Sequence, residues 1–111
     1  MLYIRLSLMK AKPAREEDVA ALMDQLVTYY KQQDGFIDGY KLKAADETGD
    51  IGRVTIWTSG EAADLVAQGH HVLALRSDLM PMLEDGSHHE RSFWAEEESK
   101  PLVQLLHKLG L

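Results

Sequence analysis

The sequence contains no cysteine. Disulfides, thiolate nucleophiles and cysteine-based zinc or iron–sulfur sites are therefore excluded, although the redox compartment stays open. No apolar run approaches the roughly 18 residues needed to span a bilayer, and the N-terminus alternates where a signal peptide would have a continuous apolar core. A cytoplasmic protein is expected. Basic residues are also scarce, 12 Lys and Arg against 18 Asp and Glu, for a formal charge of -6. That sign repels phosphate backbones and anionic membrane surfaces, and no run of Lys and Arg offsets it, so neither nucleic acid nor membrane is an expected partner. A Gly-rich phosphate loop and a Ser-His-Asp order are absent too.

What is present suits one globular domain. The chain has 111 residues, 45% hydrophobic and 27% charged, enough for a single core and too little for two. Leu2, Ile4, Leu6 and Leu8 alternate with Tyr3, Arg5, Ser7 and Met9, which predicts a strand. After Pro13, three acids at Glu16, Glu17 and Asp18 favour the positive end of a helix dipole. Val19, Leu22, Met23, Leu26, Val27 and Tyr30 then recur at helical spacing, until Gly35 supplies a stop. Phe36 to Ala44 predicts a weaker strand interrupted at Gly39, followed by a Gly- and Asp-containing connection back to a strand over Arg53 to Trp57.

The richest stretch runs from Arg53 to Met82. Thr58 and Glu61 have the T-x-x-E spacing of a capping box, which predicts a helix beginning directly after Trp57. Gly69 is expected to end that helix, leaving His70 and His71 at the start of a second one whose apolar face is Val72, Leu75, Leu79 and Met82. Pro81 forces a kink or a restarted turn near Asp78, and Gly86 closes the helix. Ser87 to Ala95 alternates again, with His88, Glu90, Ser92 and Trp94 on one side and His89, Arg91, Phe93 and Ala95 on the other. Residues 1–98 form the domain. Residues 99–111 are expected to add a C-terminal helix, begun at Ser99 and Pro101, with a stripe of Leu102, Leu105, Leu106 and Leu109 that docks across a dimer partner, the alternative being its own subunit's helical layer.

Two successive strand-helix-strand units predict an α+β, ferredoxin-like four-stranded antiparallel sheet with its helices on one face. The helices are expected to cover the side carrying Ile4, Leu6, Val54 and Ile56. The opposite side would then show Tyr3, Ser7, Met9, Thr55, Trp57 and Trp94, too apolar to stay wet. Two such sheets closing face to face through their tryptophans predict a two-fold homodimer.

The strand-end W-T-S-x-E-A at Trp57, the following His71 and the L-x-P-M-L-E segment around Pro81 resemble the antibiotic biosynthesis monooxygenase family, over Leu2 to about Trp94. The resemblance implies a dimeric α+β barrel. It also implies oxygenation of a small aromatic or quinol-like compound with neither metal nor flavin, hence no cofactor. Such chemistry needs a base, fixed donors for the substrate anion, and exclusion of water. His71 is the candidate base. Trp57, Arg5, Ser7, Arg53 and Trp94 are candidates for substrate binding, with the Trp57 N–H, the Ser7 hydroxyl and either guanidinium as donors. Arg5 and Arg53 can equally pair with Glu90 across the sheet. Many family members carry a further histidine where this chain has Val66. That departure supports the alternative, a non-enzymatic dimeric binding or interaction module of the same fold. A pocket of about 300 Å³ lined by both His71 and Trp57 would favour the enzyme, and dry packing of both the module.

Two other chemistries are disfavoured. The heme-degrading branch of this fold implies an asparagine, a tryptophan and a histidine at places held here by Ser7, Val66 and Arg76. Metal binding by His71, His88 and Glu90 is weakened because adjacent histidines diverge, so each pair offers only one ligand to a given point.

Overall fold

The computed structural model describes residues 1–96 and 108–110. The expected C-terminal helix and its docking across a partner therefore lie largely outside the described residues. Strand β1, Leu2–Met9, leads through a turn to helix α1, Glu16–Tyr30, and then to strands β2, Phe36–Lys43, and β3, Ile51–Trp57. Helices α2, Gly60–Ala67, and α3, His70–Leu79, precede a short 3-10 turn at Met80–Met82 and strand β4, His89–Ala95. The sheet order is β2-β3-β1-β4, with every neighbouring pair antiparallel. This is the α+β, ferredoxin-like arrangement the two strand-helix-strand units predict.

Local chemistry explains most boundaries. No side chain caps α1, so the first-turn carboxylates of Glu16, Glu17 and Asp18 carry the favourable dipole interaction. Gly35 adopts φ +84°, a left-handed conformation costly for other residues, and its carbonyl accepts from the Thr58 N–H at 2.8 Å. That bond uses the Thr58 backbone, and the cap of α2 shifts by one residue. Ser59, not Thr58, accepts from the Ala62 N–H at 3.1 Å, and the helix starts at Gly60. Gly69 caps the start of α3, whereas α2 ends on Gln68. Pro81 converts the end of α3 into the 3-10 turn, so the helix stops at Leu79, well before Gly86.

The largest correction concerns the faces of the sheet. Helices α1, α2 and α3 cover the side bearing Tyr3, Arg5, Ser7, Met9, Arg53, Thr55 and Trp57: Met9 and Trp57 join the core with Val19, Leu22, Met23, Leu26, Tyr30, Val72, Leu75 and Leu79. Ile4, Leu6, Leu8, Val54 and Ile56 take no part in that core. They meet each other on the opposite side in the pairs Ile4–Ile56 and Leu6–Val54, with Phe93 beside Ile4. Alternation divides a strand into two faces but does not say which one the helices cover. Here the more aliphatic face is the one left open, and the face expected to close a dimer through Trp57 lies inside the subunit.

Candidate functional site

The polar side chains of the covered face converge where α1, α2 and α3 meet the sheet. Register places Ser7 between Arg53 on β3 and Glu90 on β4, while Arg5 lies between Thr55 and Ser92. Side chains two residues apart on a strand share a face, so Arg5, Ser7, Arg53, Thr55, Trp57 and Glu90 all point toward the helices. Helix α3 adds Arg76, four residues after the core residue Val72 and hence on the same stripe. Arg5, Tyr30, Arg53, Thr55, Trp57, Arg76 and Glu90 line one cavity of about 10 Å³, room for no more than about one water.

Its electrostatics are uneven. Arg5 donates to Asp64 at 2.8 Å and to the Tyr3 hydroxyl at 2.7 Å. Burial opposes the Arg5 charge, but these bonds outweigh it and raise its pKa. Glu90 stands between two guanidiniums, 3.7 Å from Arg5 and 3.5 Å from Arg76. Both distances exceed the roughly 2.7–2.9 Å of a close charge-assisted hydrogen bond. Arg53 is only 4% exposed, and its contacts among the described residues are the Met23 sulfur at 3.4 Å and the Tyr30 ring at 5.7 Å. A ring contact contributes about 0.5–2 kcal/mol, whereas desolvating a cation costs several, so these neighbours do not balance the buried charge.

Two buried polar side-chain atoms have no hydrogen-bond partner among the described residues, the Ser7 hydroxyl and His88 Nε2. His88 precedes β4 and shares the side of Glu90. Burial holds its imidazole below the ordinary histidine pKa; Arg76 and Arg53 push the same way, and Glu90 opposes them. Its neutral form is thereby favoured.

The residues expected from sequence are only partly assembled. Arg5, Ser7, Arg53 and Trp57 share the covered face, and the expected ion pair with Glu90 forms with Arg5 but not with Arg53. Trp57 is 2% exposed, packed edge-on against Tyr30 and Phe36, and its indole N–H donates to Thr55 at 2.9 Å. The donor assigned to a substrate is therefore already used. Trp94 is 57% exposed at the sheet edge, where its ring meets Tyr3 at 5.0 Å. His71 lies elsewhere, exposed on α3 and stacked on Tyr29 at 4.2 Å, beside a groove of about 390 Å³ lined by Asp24, Gln25, Thr28 and Gln32. That groove and the Trp57 cavity share no residue, so neither of them brings His71 and Trp57 together. Thr55, Arg76, Glu90 and His88 complete the cluster. Strand parity signals three of them, and the apolar stripe of α3 signals Arg76. Among the described residues, no three His, Asp or Glu side chains converge as metal ligands, and no helix is long and apolar enough to cross a membrane.

Comparison with known proteins places this fold. No family model matches the sequence, and no curated protein matches it. Solved structures do match. SnoaB, a cofactor-independent oxygenase from Streptomyces nogalater, is similar with a TM-score of 0.74 at 14% identity, over 86% of this chain and 94% of that one. Rv0793 from Mycobacterium tuberculosis gives a TM-score of 0.79 at 17% identity, over 89% and 99% of the two chains. A candidate antibiotic biosynthesis monooxygenase from Nitrosomonas europaea gives 0.78 at 11% identity, over 86% and 91%. At these identities the likeness is one of fold: the chain has the α+β architecture seen in antibiotic biosynthesis monooxygenases.

Proposed function

We propose that the chain is a cofactor-independent monooxygenase that holds a small electron-rich aromatic or quinol-like compound between the helices and the sheet. The observation that carries this reading is the cationic cluster of a buried Arg53 with the partly buried Arg5 and Arg76, beside a Ser7 hydroxyl that has no partner among the described residues, on a fold shared with a cofactor-independent oxygenase. An electron-rich anion can reduce dioxygen directly, so the protein's tasks are to take a proton, hold the anion and exclude water. Guanidinium N–H groups and the Ser7 hydroxyl are fixed donors for that anion, and a low-dielectric surrounding strengthens them. Trp57 forms the inner wall, while Trp94 stands exposed beside Tyr3 as an outer one. The imidazole on the pocket's own sheet face is His88, whose neutral form suits a proton acceptor near pH 7. His71 serves as base only for a substrate entering through the outer groove beside Tyr29.

The working unit is a homodimer closed by the open faces of two sheets. Ile4, Leu6, Val54, Ile56 and Phe93 share the face that the helices leave uncovered, and an apolar face of this kind suits burial against a second copy.

A second reading, a binding module without catalysis, is favoured by one observation. Trp57 is packed dry, its N–H is satisfied, and the cavity beside it is about 10 Å³, far below the roughly 300 Å³ of an ordinary ligand pocket. Oxygen uptake with a panel of anthrones and quinols separates the two. Turnover by metal-free, flavin-free protein supports the monooxygenase, and binding without uptake supports the module.

A further inference from the structure

The pocket holds three guanidiniums around one internal carboxylate, and the most deeply buried of them, Arg53, has no anion at all among the described residues. Glu90 is shared loosely between Arg5 and Arg76, and all three are partly exposed at the cavity's mouth. Arg5, by contrast, keeps a close bond to Asp64, so losing Glu90 would not leave it uncompensated. The Ser7 hydroxyl, on a residue 1% exposed, is an unspent donor next to Arg53 in the register. Unsatisfied buried polar groups in a native structure call for an occupant or a function.

We infer that this pocket is an acid-binding site closed by its own carboxylate: Glu90 occupies the place of a ligand's carboxylate, and a small aromatic acid displaces it to pair with Arg76, Arg53 and Ser7. The inference rests on the pocket being the substrate site of the proposed monooxygenase, and it narrows the substrate to a compound carrying a carboxylate beside its phenolic ring. Planar, forked guanidinium donors match a carboxylate in a way that they do not match a carboxamide, which also presents N–H groups toward them. Swinging Glu90 outward opens the cavity on the side of Arg5, where the half-buried Tyr3 beside Arg5 and the exposed Trp94 packed on Tyr3 offer a ring surface to the aromatic part.

Calorimetric titration of the full chain under argon, with gentisate and its neutral carboxamide as probes, tests this. Gentisate is expected to bind at least about tenfold more tightly than the amide. Arg53→Gln should remove that preference, and Glu90→Gln should strengthen gentisate binding several-fold by vacating the place. Arg76→Gln, at a partly exposed position, gives the same test if Arg53→Gln does not fold. Equal affinity for acid and amide, no binding of either, or an undiminished preference in both arginine variants overturns the inference. Oxygen uptake on the same probes is read separately. Acid-selective binding without uptake retains the site and rejects the monooxygenase, whereas turnover of neutral quinols with no acid preference does the reverse.

Discussion

The two faces of the one sheet differ in a way opposite to the simplest expectation. The open face carries Ile4, Leu6, Leu8, Val54 and Ile56, while the face under the helices carries Arg5, Ser7, Arg53, Thr55 and Glu90 alongside Met9 and Trp57. A subunit built only to be stable would do the reverse. Its aliphatic rows would go under the helices, where each buried side chain is worth about 1.5–3 kcal/mol, and its charges would go to water. The observed arrangement accepts a buried Arg53 and the partly buried Arg5 and Arg76 under the helices and leaves apolar surface outside. Both choices make sense if the inner face is a site and the outer face is an interface.

Breaking the outer face should have the largest effect. Val54→Asp puts an unpaired carboxylate at the centre of the aliphatic surface, and sedimentation at micromolar concentration should change from a dimer to a monomer, a loss of several kcal/mol of association. A wild-type chain that sediments as a monomer would remove the interface reading. The inner face should respond in the opposite sense. Arg53→Met replaces a buried cation lacking a carboxylate with a shorter, flexible apolar chain, and thermal unfolding should show no loss, or a gain of up to roughly 1–4 kcal/mol. Clear destabilisation would mean that Arg53 is a structural residue.

A smaller effect is expected from His88. Its folded pKa is lowered, so between its ordinary value near 6.5 and that lower value the unfolded chain binds more protons. The associated stability is therefore full above about pH 6.5, falls as pH drops toward the folded pKa, and is flat below it. Unfolding curves of His88→Gln should lack this acid-side decline relative to wild type. The smallest change belongs to His71→Ala, an exposed site whose one ring contact is Tyr29: its stability should stay within about 0.5 kcal/mol of wild type.

Much of this was legible in the sequence, for physical reasons that also explain the failures. The period-two and helical patterns mark the strands and α-helices among the described residues, though not the 3-10 turn at Met80–Met82, and parity alone gathers Arg5, Ser7, Arg53 and Trp57 on one face. Parity cannot say which face is inside, because that depends on surfaces outside the strand. Ranking the faces by hydrophobicity picks the wrong one when the most aliphatic surface is not part of the subunit's own core. The α2 cap missed by one residue because Thr58 and Ser59 both carry hydroxyls, and only the Thr58–Gly35 backbone bond distinguishes them. His71 illustrates the limit of a motif read without helical phase. Val72, Leu75 and Leu79 fix the buried stripe of α3, His71 stands about 100° away from Val72, and Arg76 lies on the stripe. The closed cavity was not legible at all, since it depends on how Glu90 divides itself between Arg5 and Arg76.

The most direct test of the central claim, that the covered polar face is the working site, is oxygen uptake on a reactive quinol or anthrone by wild type, Arg53→Met and His71→Ala side by side. The account predicts that Arg53→Met loses at least about tenfold in rate while remaining folded, and that His71→Ala keeps the wild-type rate. An unchanged rate in Arg53→Met together with a collapse in His71→Ala would contradict it and move the chemistry to the outer groove beside Tyr29.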